Sequence, residues 1–150
     1  MKPIFDINIR WYDDTTMETE NRRELTEQFL KALGITSDVA CDILEVMLIA
    51  KGKDITLTTE NIKKEILNAR KKRGMKDVKK GLTDRNIQIW MRYFREIKLI
   101  DRMGSRYVFT GNKSPSTAFR ENTKPLIDDG VEYIEQVLEK LEEKYGIKKK

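Results

Sequence analysis

Residues 82–110 constrain the fold more than any other part of the chain, because an amphipathic helix is followed there at once by a short hairpin. The helix begins after Thr83, and its apolar residues recur at spacings of three and four: Ile87, Trp90, Met91, Phe94 and Ile97. Such a stripe has to face a core. The hairpin strands are predicted at 99–102 and 106–110, with the turn at 103–105. The sequence therefore predicts a helix packed beside a small antiparallel sheet.

Similar patterns place the other elements. Residues 5–11 alternate apolar and polar side chains, which predicts a half-buried strand. Helices are predicted at about 20–33, ending at Gly34, and at 37–50, beginning at Ser37. A short β-like segment at 55–57 precedes a third helix, capped by Thr58 or Thr59, and this helix gives way to a basic loop at 70–81.

The expected fold class is α+β and mainly α. We divide the chain into an N-terminal strand and helix arm (1–35), a central domain (36–111), a polar linker (112–122) and a C-terminal helix (123–150) that begins near Pro125. A chain of this length can bury one modest core.

The C-terminal helix has a heptad pattern. Its apolar residues follow one another at spacings of 4, 3, 4, 3 and 4: Ile127, Val131, Ile134, Leu138, Leu141 and Tyr145. This spacing is typical of a coiled coil. The six residues are therefore predicted to form the interface of a homodimer. The alternative is that the helix packs back on its own chain, and the polar linker before it favours pairing between chains.

The composition excludes several classes of function. The chain has no histidine and a single cysteine, Cys41, which rules out an intramolecular disulfide and a cysteine-only metal site. The glycines fit no nucleotide-binding loop. We therefore expect no catalytic residue, no metal and no cofactor, and we interpret Cys41 as a buried structural thiol. Glu96-Ile97-Lys98 resembles an acidic nuclease motif only superficially, since no acidic partner on a strand accompanies it.

The expected location is the cytoplasm, because no apolar run is long enough to span a membrane and the first residues do not form a signal peptide. Charged residues make up 37% of the chain, and the abundance of Lys, Glu and Ile hints at a thermophilic source. The apolar residues are patterned throughout, which indicates a globular protein rather than a disordered one.

The positive charge is concentrated in the middle of the chain. Residues 53–122 contain 18 Lys and Arg against 8 Asp and Glu, whereas residues 1–52 contain 6 against 10 and residues 123–150 contain 6 against 7. This asymmetry indicates a polyanionic partner more directly than the net charge of +5 does.

The predicted partner is double-stranded DNA, and the candidate contacts lie in the helix at 83–98 and around it. Arginine and glutamine can bind guanine and adenine bidentately, so Arg85, Gln88 and Arg92 are predicted base readers. Lys79 and Lys80 precede the helix, where its dipole favours phosphate. The full set comprises Lys79, Lys80, Thr83, Arg85, Asn86, Gln88, Ile89, Arg92, Arg95, Arg102, Ser105 and Arg106. A basic solvent-exposed helix face is also common in proteins that bind no nucleic acid.

The segment from about 37 to 110 resembles the winged helix-turn-helix family. The resemblance rests on Leu82-Thr83-Asp84-Arg85-Asn86-Ile87, followed by Phe94 and the pair Leu99-Ile100, which look like that family's recognition helix entering its wing. It implies sequence-specific duplex DNA binding in the major groove, commonly for transcriptional regulation. With the heptad helix added, the chain looks like archaeal-type winged-helix proteins that dimerise through a C-terminal coiled coil. Where family members often have glycine, this chain has Lys98.

Two other functions stay open at this point. A replication or plasmid-maintenance initiator uses the same fold to read repeated origin sites. Alternatively, a winged-helix domain can be a protein-interaction module of a transcription or repair complex, and the acidic N-terminal part would then be its contact surface.

Overall fold

Helices account for most of the chain in the computed structural model, which describes residues 1–148. The helices are α1 (Arg22–Ala32), α2 (Asp38–Gly52), α3 (Thr59–Lys72), α4 (Asp84–Glu96), α5 (Pro115–Ala118) and α6 (Lys124–Lys144), and the strands are β1 (Leu57–Thr58), β2 (Ile100–Met103) and β3 (Arg106–Phe109). The fold is thus α+β and mainly α, as the sequence predicts at this level.

The core is built around α2, which has apolar residues on all sides, most of them buried. This helix packs against α1, α3 and α4 and touches β3. Ala40, Ile43 and Leu44 are almost completely buried. A helix that is apolar on every side has to lie inside the fold, so α2 supplies the support on which the other helices rest.

The three strands form one antiparallel sheet in the order β1-β3-β2. Ile100 pairs with Phe109 and Met103 with Arg106, which confirms the predicted hairpin and its turn. Leu57 of β1 pairs with Tyr107 on the other edge of β3. The sheet therefore ties the hairpin to the segment between α2 and α3.

Local capping begins α2, α3 and α4, and ends α1, where the sequence predicts. The side chains of Ser37, Thr58 and Thr83 each accept a hydrogen bond from the backbone N–H three residues later. Gly34, with φ of +73°, ends α1. A Cβ at this position would lie 3.0 Å from the Cβ of Asn8, so glycine also allows the N-terminal segment to cross closely over the turn.

The predicted N-terminal strand is wrong. Residues 5–11 belong to no strand, although Phe5 and Ile7 pack against the core with partial burial. The backbone N–H of Arg10 donates to the carbonyl of Ala32 at 2.8 Å, which attaches the segment to the end of α1. An alternating sequence indicates that one face of the segment is buried, but a strand also needs a neighbouring strand to pair with. This segment lies beside helices, so it has no such partner.

The last helix, α6, begins at Lys124, beside the predicted start at Pro125, but the predicted linker before it is partly helical. Pro115 opens α5, and Ser114 caps it by accepting from the backbone N–H of Thr117. A π-helical turn over 119–123 then leads directly into α6. Polar composition suggested a linker here, but the Ser-Pro pair starts a helix. A π turn just before Pro125 adjusts the hydrogen-bond register where proline has no N–H to donate.

A buried ionic cluster joins α1, α2 and α3. The Asp42 carboxylate accepts from Arg70 Nε at 2.9 Å and lies 2.8 Å from Arg70 Nη2, while Arg23 and Arg73 reach its other oxygen at 2.6 and 3.3 Å. The side chains of Asp42 and Arg70 are 2% and 1% exposed. Burial lowers the pKa of Arg23, but the hydrogen bonds to Asp42 and Glu45 and the neighbouring negative charges together outweigh it, and the net shift of that pKa is upward.

We predict that Asp42→Asn destabilises the protein by about 3–5 kcal/mol, because it leaves the buried Arg70 guanidinium without a counterion. Urea unfolding followed by circular dichroism measures the change. Asp38→Asn is the matched control, since Asp38 is exposed in the first turn of the same helix and its replacement should cost less than about 1 kcal/mol. Equal midpoints for the two variants would show that the cluster is energetically unimportant.

Candidate nucleic-acid interface

The predicted apolar stripe holds α4 against the core. Ile87, Met91, Phe94 and Ile97 are buried, and Trp90 is half-buried. The stripe is therefore confirmed as a packing surface. Because four buried side chains fix the rotation of the helix about its axis, they also determine which residues face outward.

The outward side of α4 is positively charged. We call it the basic face, and it consists of Arg85, Gln88, Ile89, Arg92 and Arg95, all of which are exposed. The three arginines lie at i, i+7 and i+10, so they line one side of the helix over about 15 Å. Ile89, 46% exposed, supplies apolar surface between them.

The acidic residues of α4 lie at its two ends. Asp84 lies in the first turn, where its carboxylate is 3.0 Å from Lys63 Nζ of α3. Glu96 is the last residue of the helix. The middle of α4 thus offers arginine, glutamine and isoleucine side chains to solvent without a carboxylate among them.

Thr83 and Asn86 shape the beginning of α4. The Thr83 hydroxyl accepts from the backbone N–H of Asn86 at 3.1 Å, and the Asn86 side-chain amide donates to the carbonyl of Gly81 at 2.8 Å. Both side chains were predicted to contact DNA. In the structure their polar groups fix the turn that enters the helix.

Lys79 and Lys80 lie exposed on the loop just before α4. Arg70 holds this loop in place, since its Nη1 donates to the carbonyls of Val78 and Lys80 at 2.9 and 2.7 Å. One buried guanidinium therefore joins the ionic cluster to the basic loop. The backbone that carries Lys79 and Lys80 is therefore held in place by hydrogen bonds.

Arg70 is a positioning residue that the sequence interpretation missed. It stands in the run Arg70-Lys71-Lys72-Arg73, which looks like a solvated basic loop. The signal that could have identified it is the spacing from Ile62 and Ile66, because positions i, i+4 and i+8 share one helix face. Both isoleucines are fully buried, and Arg70 continues their row.

The hairpin presents Arg102, Ser105 and Arg106 at its exposed end. The Arg102 guanidinium lies 5.5 Å from the centre of the Tyr107 ring, within cation–π range. Arg106 Nη1 donates to the carbonyl of Thr56 at 2.9 Å. Both arginines are thus held by neighbours in the sheet while their side chains stay largely solvent-accessible.

The side chains of Tyr93 and Cys41 both lie in packed surroundings. The Tyr93 ring meets Trp90 and Phe94 edge-on at 5.9 Å, and burial, with a smaller effect of Asp6, raises its pKa. Cys41 is buried as predicted, and burial raises the pKa of its thiol to about 12. A protonated thiol in this setting is a poor nucleophile.

The heptad residues lie on a helix that leaves the rest of the fold. None of the residues of α6, all of which the structure describes, is buried. Ile127 is half-buried, and the remaining five are exposed: Val131, Ile134, Leu138, Leu141 and Tyr145. Within residues 1–148, no other segment covers the five exposed side chains.

At the base of α6, threonine hydroxyls attach the helix and the sheet to the end of α4. Thr123 Oγ1 donates to the carbonyl of Ile97 at 2.7 Å, and Thr110 Oγ1 donates to that of Lys98 at 2.6 Å. Lys98 has a φ of +62°, a left-handed conformation that glycine adopts more easily. The corner after α4 is therefore held by side chains from two later segments.

Within residues 1–148, no helix is long and apolar enough to cross a membrane. The same residues contain no group of three or more His, Cys, Asp or Glu side chains arranged to hold a metal ion. Comparisons with protein-family models, with curated proteins and with solved structures found no match to this chain.

Proposed function

We propose that the chain binds duplex DNA through α4, with the segment from α2 to β3 acting as a winged helix-turn-helix domain. The observation that supports this most directly is the basic face of α4, whose arginines are exposed because the opposite stripe is buried. The order helix, strand, helix, helix and hairpin agrees with that fold. Lys98, in the left-handed conformation, occupies the place where family members often have glycine.

In this proposal α4 lies in the major groove, which is wide enough for one helix. Arg85, Gln88 and Arg92 read base edges, since arginine binds guanine O6 and N7 and glutamine binds adenine N6 and N7. Lys79 and Lys80 bind phosphates beside the entry of the helix. The hairpin arginines Arg102 and Arg106 bind the backbone or the minor groove and fix the orientation of the domain.

The active form is proposed to be a homodimer that uses the exposed heptad residues of α6. A helix with a solvated apolar stripe is marginal alone and gains stability by covering that stripe. Two copies would present two α4 helices to successive major grooves of one duplex. The most fitting role is that of a dimeric transcriptional regulator.

We expect duplex affinity to fall steeply with ionic strength. Each lysine or arginine that neutralises a phosphate contributes a slope of about −0.9 to the plot of log K against log salt concentration. Fluorescence anisotropy with a labelled duplex, measured over a range of salt concentrations, gives this slope. Absence of binding at low salt would exclude the proposed function.

The basic face and the basic loop should respond differently to substitution. Arg85→Ala and Arg92→Ala should each lower the preference for the selected site by about 1–3 kcal/mol, because each removes a base contact. Lys79→Ala should weaken all duplexes about equally and reduce the salt slope by about 1. Selection from a random duplex pool provides the site, and competition anisotropy measures both effects.

Lys31→Ala is the matched control for these substitutions, since Lys31 is exposed on α1 in the acidic third of the chain. It should leave both affinity and slope unchanged. If Arg85→Ala and Arg92→Ala behaved like this control, α4 would not be the reading element.

Leu138→Lys should convert the dimer into a monomer, because it places a charge in the middle of the apolar stripe. The substituted side chain is 54% exposed in the single chain, so the fold of the monomer is not at risk. Gln136→Lys, on the other side of α6, is the control and should remain dimeric. Light scattering after size-exclusion chromatography distinguishes them, and a Leu138→Lys dimer would refute the role of the stripe.

A further inference from the structure

An open apolar groove lies between α1, α2 and the run from α5 to α6. It encloses about 890 Å³, at the upper end of the range for ligand-sized cavities. Its walls are mostly aliphatic and aromatic, including Leu25, Phe29, Leu44, Leu48, Phe109 and Phe119. A large exposed apolar surface is typical of a binding or association site, and the occupant that fits it is apolar.

The rim of the groove is positively charged. Arg10, Arg22, Arg120 and Lys124 line it, and Glu45 is the one acidic residue among the described lining residues. The Glu45 carboxylate is already 3.1 Å from Arg23 Nη1. Charge complementarity therefore favours an occupant with acidic residues on both sides of an apolar strip.

The groove and the apolar stripe of α6 form one surface. Arg120, Lys124 and Ile127 line the groove at spacings of four and three residues. Val131 and Ile134 continue the same spacing of four and three residues along the exposed helix. Because these spacings keep residues on one helix face, the groove wall runs into the stripe without a break, and one elongated occupant could cover both.

The chain itself contains a segment with the required chemistry. Residues 127–143 combine the apolar stripe with seven acidic residues against one lysine: Asp128, Asp129, Glu132, Glu135, Glu139, Glu142 and Glu143, with Lys140. The stretch from Val131 to Leu141 spans about 15 Å as a helix. A small amphipathic anion would fill the groove alone and leave the stripe exposed.

We propose that the groove of one copy receives the middle of α6, residues 131–141, from a second copy, and that the exchange is reciprocal. Apolar side chains of the entering helix fill the groove, and its acidic residues meet Arg22 and Arg120 at the rim, in the manner of an amphipathic helix bound in a groove. The inference rests on the proposed homodimer. It adds that α6 docks on the body of the partner and does not pair only with its counterpart.

Cross-linking between two cysteine variants tests this arrangement. Leu25→Cys, on α1 in the groove, is mixed with Leu138→Cys and oxidised, and a disulfide between the two different chains is expected. Leu25 is 40% exposed, so its replacement is mild. Wild-type protein controls for Cys41, whose buried thiol should not react. Leu25→Cys mixed with Gln136→Cys, on the opposite face of α6, controls for proximity alone.

The outcomes separate the inference from the proposed function. Efficient linkage of Leu138→Cys to itself, without linkage to Leu25→Cys, would overturn the docking in the groove and leave the α6 dimer standing. A protein that gives no linkage and is monomeric by light scattering would overturn both. DNA binding is measured on the same samples by anisotropy and is not decided by either result.

Charge reversal gives an independent measurement. Arg22→Glu should raise the dimer dissociation constant about tenfold, and mixing it with Glu135→Lys should restore association between the two variants. Lys64→Glu, on the exposed side of α3, is the control and should leave association unchanged.

Dodecanoate serves as a small-molecule probe of whether the groove is filled in the dimer. If it binds in the groove of the intact wild-type dimer, the groove is not filled by the partner and the proposal fails.

Discussion

The structure depends on the Asp42 carboxylate, which is buried inside the most apolar helix and surrounded by three arginines. A buried charge of this kind is costly without partners, and here the partners come from α1 and α3. The same Arg70 that neutralises Asp42 also binds two carbonyls of the loop before α4. One buried arginine therefore links the contact between α2 and α3 to the placement of the basic loop.

A second group of contacts determines how the C-terminal helix is attached. The carbonyls at the end of α4 have no partner within that helix, and the hydroxyls of Thr110 and Thr123 satisfy two of the carbonyls at this corner. Thr123 is completely buried. The exposed stripe of α6 thus begins from a fixed corner of the core, and the groove beside it has a rigid wall.

Much of this architecture could be predicted from the sequence, because it depends on local chemistry. The stripe of α4, the caps at Ser37 and Thr83 and the hairpin all follow from spacing or side-chain type. The N-terminal strand could not be excluded, since alternation says nothing about which element lies beside it. The burial of Arg70 could not be predicted, because the sequence does not show that the Asp42 carboxylate lies beside its guanidinium. The groove could not be predicted either, because its walls come from segments far apart in the chain.

The hydrogen bond between Thr123 and Ile97 has a consequence for how two copies would face a duplex. It attaches the residue before α6 to the end of α4, so we expect the two helices to move together. On the proposed function, the angle at which two α6 helices meet then sets the distance between the two α4 helices, which must match about 34 Å for half-sites one turn apart. The spacing of the recognised half-sites would be encoded in the dimer contact, far from any base, and a substitution there could change which operators are bound without touching a single reading residue.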